Sequence, residues 1–224
     1  MKKKKRKLNY YSVIKSIMLA FGILLISGAA EQVAWASDTQ TATGSALMLM
    51  TASDTDIASG TSYGMDWVID AEGTLTITGV CDEVGSTRPE YGWQDYLEEI
   101  KKIYLDAAVG TAFYRAFADA VNLTEVTYGP NFDSSGLWVY ESATLVDVFG
   151  NTGLETIDFS MWDFSEFEDL GNLFGYASYP NTKHVSFAGC DFSNVTDMSA
   201  MFYEKDTFES IDLRGCTLGN LQTV

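Results

Sequence analysis

A block of twelve residues occurs twice in this chain at a fixed spacing, and no other feature restricts the fold as strongly. Asp163–Phe174 reads DFSEFEDLGNLF, and 28 residues later Asp191–Phe202 reads DFSNVTDMSAMF. The copies share Asp-Phe-Ser at the start, Asp at the seventh position, an aliphatic residue at the eighth and Phe at the end. An apolar doublet precedes each copy, Ile157/Phe159 and Val185/Phe187, and a third doublet, Ile211/Leu213, opens a copy that is half built at Val224. Self-similarity at such a period is the signature of stacked coils, in which each unit buries its apolar face only against its neighbours. The half-built copy gives the expectation of further coils beyond Val224.

Counting doublets extends the repeat backwards. Ile103/Leu105, Val126/Tyr128, Ile157/Phe159, Val185/Phe187 and Ile211/Leu213 are spaced by 23, 31, 28 and 26 residues. Phe117, Phe149 and Phe202 lie five or six residues ahead of the leading apolar residues Leu123, Leu154 and Phe208. Extra residues on the returning arc cost only loop-closure entropy, so uneven spacing is tolerated. Alternate side chains of a strand point the same way. The doublets therefore face inward, and the outward set is Lys102 and Tyr104, Glu125 and Thr127, Thr156 and Asp158, His184 and Ser186, Ser210 and Asp212. The expected architecture is a β-rich (α+β) solenoid over residues 99–224, a leucine-rich-repeat stack with one short strand per coil and all five strands side by side in one sheet.

Ahead of the coils, Met65–Gly79 alternates Trp67/Ile69 and Leu75/Ile77 with polar residues around Ala71-Glu72-Gly73. That pattern predicts a β-hairpin. With a helical turn after Trp93 it forms an N-terminal cap over residues 63–98. Residues 37–62 are rich in Ser, Thr, Ala and Asp and read as a flexible leader, because such a composition buries too little apolar area to offset backbone entropy. Residues 1–36 carry a basic start, a short apolar run and Ala34-Trp35-Ala36. This is the pattern of a secretory signal peptide cleaved after about Ala36, and the run is shorter than a membrane span requires. Contact with a membrane is then expected only during export.

The signal segment holds seven of the fourteen basic residues and one acid, leaving 7 basic against 30 acidic residues in the mature chain. Nucleic acid is bound through Lys and Arg neutralising phosphates, so this balance argues against a nucleic-acid partner. Cys81, Cys190 and Cys216 are three in number, which leaves at least one unpaired. Cys190 and Cys216 occupy the slot held by Trp162 one coil earlier, an interior apolar position where free cysteine behaves as a small hydrophobe. Connectivity does not follow from spacing.

Signals of catalysis are weak. The chain has one histidine, His184, placed on a strand, and no Gly-x-Ser-x-Gly elbow. Asp163, Glu166, Glu168 and Asp169 form an acidic run better read as a solvated turn than as a carboxylate pair. The dense oxygen-ligand loop with a central glycine that calcium favours is missing. No enzymatic activity, cofactor or metal is expected.

Ile211-Asp212-Leu213, the block Asp191–Phe202 and Asn122-Leu123-Thr124-Glu125-Val126-Thr127 together resemble the BspA-type leucine-rich-repeat proteins of bacterial cell surfaces. The hairpin Trp67–Gly79 is similar to the segment that opens such proteins, and Glu166, Phe167, Glu168 and residues 176–181 depart from the pattern. The resemblance implies an exported surface protein that binds host or matrix proteins, with no catalytic residues to carry over. An extracellular protein partner on the outward strand face is the expected ligand. A glycan held by Trp138, Tyr140, Tyr176 and Tyr179 is the first alternative, and accessory coils of a larger secreted hydrolase the second.

Overall fold

The computed structural model describes residues 55–81, 89–109, 113–137, 145–219 and 221. The expected signal peptide and most of the leader lie outside these residues, as do Trp138 and Tyr140. The chain divides into Met1–Leu47 and Met48–Val224, and every element below belongs to the second unit.

The hairpin forms as the alternation predicts. Strands β2 (Met65–Ile69) and β3 (Thr74–Val80) pair antiparallel, with Trp67 opposite Ile77 and Ile69 opposite Leu75. Asp70 Oδ1 accepts from the backbone N–H of Glu72 at 3.0 Å and of Thr74 at 2.7 Å, an Asx turn closed by Gly73 at φ +86°.

The leader is corrected at its end, where β1 (Ala58–Ser62) pairs antiparallel with β2. Its small residues are what permit the contact: a Cβ on Gly60 would stand 2.8 Å from the Trp67 ring. Backbone pairing with β2 supplies the stabilisation that the side chains of β1 lack, so composition did not reveal the strand.

The hairpin stands at the N-terminal end of the stack and is joined to it by strand pairing. β3 runs parallel to β4 (Lys102–Ala108) over seven residue pairs, with Leu75 beside Ile103 and Ile77 beside Leu105. It therefore serves as the first rung of the ladder. A 3₁₀ turn, Gly92–Tyr96, stands on the connection where a helical turn was expected and buries Trp93. Beyond β4 come β5 (Glu125–Tyr128), β6 (Thr156–Asp158), β7 (His184–Ser186), β8 (Asp191–Phe192), β9 (Ser210–Asp212) and β10 (Thr217–Leu218).

These strands do not make one sheet, contrary to expectation. One sheet runs β1-β2-β3-β4-β5, a second β6-β7-β9, and β8 pairs with β10. The break falls at the longest spacing in the repeat, between β5 and β6. On the arc side the coils stay joined: the N–H groups of Arg115, Phe117 and Asp119 donate to the carbonyls of Val146, Val148 and Gly150 at 3.1, 3.0 and 2.8 Å. On the strand side the connection passes through a side chain. Tyr128 donates its hydroxyl to Asp158 O at 2.8 Å and accepts the indole N–H of Trp162 at 2.8 Å.

Inner and outer faces survive the break, because facing is set by alternation within each strand. Ile103, Leu105, Ile157, Phe159, Val185 and Phe187 are buried, while Val126 and Tyr128 are half-buried. The last doublet departs from the expectation, with Ile211 and Leu213 exposed at 38% and 46%. Behind the strands the arc aromatics stack from coil to coil. Trp93 lies on Phe117 at 5.9 Å, Phe117 on Phe149 at 5.6 Å, and Phe174 on Phe202 at 5.6 Å between centroids. Offset stacks of this kind add to the area they bury.

One backbone feature recurs without any sequence signal. The residue two before each arc Phe is left-handed: Arg115 (φ 48°), Asp147 (φ 53°), Asn172 (φ 60°) and Ala200 (φ 56°). A side chain there costs energy, and at Arg115 and Asp147 the residue's own N–H, donating to Val146 O and Leu173 O of the next coil, helps hold it in place.

Candidate binding face

The structure sorts the ten outward residues into two groups. In the first sheet Lys102 stands beside Glu125 and Tyr104 beside Thr127. In the second, Thr156, His184 and Ser210 form one row across three strands, and Asp158, Ser186 and Asp212 form the next. Lys102, Glu125, Thr127, Thr156, Asp158 and Ser210 are exposed; Tyr104, His184, Ser186 and Asp212 are half-buried. All ten therefore lie on the outer side, but they are not one continuous patch.

Neighbouring rungs are tied along this face. Lys102 Nζ reaches Glu125 at 2.7 Å, and Lys183 Nζ reaches Glu155 at 2.8 Å. Each contact raises the lysine from its ordinary value through the hydrogen bond to its carboxylate. These pairs are exposed and contribute little to stability, but they neutralise charge along one margin of the face. His184 Nδ1 lies 2.8 Å from Ser210 Oγ. The row thus supplies the histidine with a cross-strand serine. The pair sits on a solvent-facing sheet, where water competes for every charge that a reaction would develop.

Two acids of the face also hold turns, and so do two of the acidic run, as its reading as a turn expects. Asp158, Asp163, Asp169 and Asp212 each accept the backbone N–H two residues on, from Ser160, Ser165, Gly171 and Arg214 at 2.9, 2.9, 2.6 and 3.0 Å. Asp212 also takes Arg214 Nε at 2.9 Å, and these bonds hold its carboxyl at about 2. Asn122 and Asn194 donate to Glu98 O and Ser165 O in the coil before, each at 2.7 Å, so both side chains anchor the stack. Among the described residues no group of three His, Cys, Asp or Glu side chains is placed to hold a metal ion. No helix among them is long and apolar enough to cross a membrane.

Sequence reasoning missed one strand of the face. Because β3 pairs with β4, Thr74, Thr76 and Thr78 extend the outer rows beside Lys102, Tyr104 and Asp106. The alternation Thr74-Leu75-Thr76-Ile77-Thr78 carried that signal, but the hairpin reading assigned it to a cap. The aromatic candidates divide: Tyr176 is 76% exposed, whereas Tyr179 is 4% exposed with its hydroxyl on Asp147. Tyr179 is thus corrected from a surface aromatic to a core residue.

The fold and this face define a strand-rich solenoid of the leucine-rich-repeat type, one inward doublet and one outward pair per coil. No family model matches the chain, and no curated protein matches it. Among solved structures it is similar to a leucine-rich repeat protein from Eubacterium ventriosum, with 18% identity and a TM-score of 0.40 over 69% of this chain and 44% of that one. The chain thus spans less than half the length of that protein.

Proposed function

We propose that this is an exported, BspA-type surface protein that binds an extracellular protein through its outer strand face and performs no catalysis. The observation that carries the reading is the second sheet, whose register sets Thr156, His184 and Ser210, and then Asp158, Ser186 and Asp212, in two straight polar rows. Rigid rows of short polar groups suit a partner that docks with little reordering on either side. The acidic balance of the chain favours a cationic patch on that partner.

The test is a triple variant, Thr156→Arg, His184→Ala and Ser210→Arg, measured against a panel of extracellular matrix proteins that the native chain is first shown to bind. These three side chains point outward, so the melting temperature stays unchanged while affinity falls by about tenfold or more, roughly 1.4 kcal/mol. Equal affinity in the variant removes the face from the function. Export is checked separately, by finding the chain in the medium or cell-envelope fraction with its first residues removed. A glycan ligand rests on Tyr176 alone among the described aromatics offered for it. Glycan binding lost on Tyr176→Ala but kept in the triple variant favours that reading.

A further inference from the structure

Cys190 and Cys216 stand at the same position of successive coils, and the structure shows how closely. On either side of them the backbones are in ladder contact. Gly189 N–H donates to Arg214 O at 3.0 Å, Thr217 N–H donates to Cys190 O at 3.1 Å, and Asp191 is the parallel partner of Thr217. A Cβ on Gly215 would lie 3.8 Å from Gly189 Cα. Neighbouring strands run about 4.8 Å apart, inside the range of Cα separations that a disulfide spans.

The sulfurs share a direction as well. Cys190 Sγ points at Phe159 O (3.4 Å) and Cys216 Sγ at Phe187 O (3.0 Å), each toward the preceding coil. Phe187 O also accepts the backbone N–H of Cys190 at 3.0 Å. The Cys216 sulfur thus already leans over the coil that carries Cys190. What remains is a rotation of Cys190 about χ1, away from Phe159 O, between two staggered wells.

We propose that Cys190 and Cys216 form a reversible disulfide between coils when the protein meets a low-molecular-weight or protein disulfide. Both thiols are free in the structure. Cys216 is half-buried and Cys190 only 3% exposed, so the incoming disulfide reaches Cys216 first. Burial pushes the Cys190 thiol up to about 12, which further suppresses attack from that side. The Cys216 thiolate attacks one sulfur of the donor, and the other leaves as a thiol. Cys190 then gives up its proton to solvent and attacks the Cys216 sulfur, releasing the second donor thiol. Two protein thiols are oxidised and one donor disulfide is reduced to two thiols. The consequence is local: the coil that carries β9 and β10 leaves Ile211, Leu213 and Leu218 open to water among the described residues, and the bond pins that coil to the one beneath it.

The experiment uses the intact native protein incubated with oxidised glutathione, alkylated, cut with trypsin and mapped without reductant. Expected is the fragment His184–Lys205 linked to the fragment that begins at Gly215, with Cys81 left open to alkylation. Amide exchange over residues 208–218 slows by on the order of tenfold and recovers on reduction. Glutathione retained on Cys216 beside a free Cys190 overturns the proposal. So does a link to Cys81 or between two molecules, or a native protein left unmodified where the urea-unfolded chain forms the link. In Cys216→Ser, Cys190 stays unmodified; a glutathione adduct there overturns the order of attack.

Discussion

Asp147 is a carboxylate with no exposed side-chain surface, held by two backbone N–H groups, Tyr176 and Ala177 at 3.0 and 2.9 Å, and by the Tyr179 hydroxyl at 3.1 Å. Arg115 stands 3.8 Å away. The carboxylate fastens the arc of one coil to the loop of the next, and Asp147→Ala leaves those donors buried without an acceptor. That change costs about 2–4 kcal/mol, read as a lower urea midpoint. Burial pushes the Asp147 carboxyl above its ordinary range, against the pull of these hydrogen bonds and of Arg115. The sign follows: its contribution to stability is complete below the unfolded value and is lost as pH rises through the folded one. Asp147→Asn keeps an acceptor and does not titrate, so native stability rises relative to that variant as pH falls from neutral toward about 4. An unchanged difference across that range removes the account. At Gly73 the constraint is steric, since the residue sits at φ +86° and a Cβ would collide with Glu99 O. Gly73→Ala therefore costs about 1–3 kcal/mol by the same measurement.

Between elements, the decisive side chain is Tyr128. It was read from the repeat as an inward doublet residue, and it does pack on Phe132 and Trp162. What the pattern did not contain is its hydroxyl, which spans the point where β5 and β6 fail to pair. Tyr128→Phe orphans the Trp162 indole N–H and one bond of the Asp158 carbonyl, a loss of about 1–3 kcal/mol. Amide exchange should quicken at residues 156–162 and stay unchanged at 103–107; equal changes in both would show that the two sheets open together. β1 teaches the complementary lesson. Its own residues have no apolar alternation, and it exists because β2 offers an edge and Gly60 lets the backbone lie on Trp67.

Across the whole ladder, protection should follow position. β4 has a partner on each side and an inner row buried at Ile103, Leu105 and Ala107, whereas among the described residues β9 pairs with β7 alone and Ile211 is open. In a chain of these 224 residues, native-state exchange is expected to be slowest at Ile103–Leu105 and clearly faster at Ile211–Leu213. Uniform protection would mean that the coils unfold as one unit. Apolar periodicity determined the stacking of coils, the hairpin, and which side of β2 to β7 faces water, because these follow from two-residue alternation and a fixed repeat, both local properties of the chain. The tertiary structure alone decided that the hairpin joins the ladder, that the ladder divides after Tyr128, and that Asp147 lies buried in the arc. Each of those depends on which backbone groups and side chains from distant coils meet, and alternation within a strand carries no information about its neighbour across the stack.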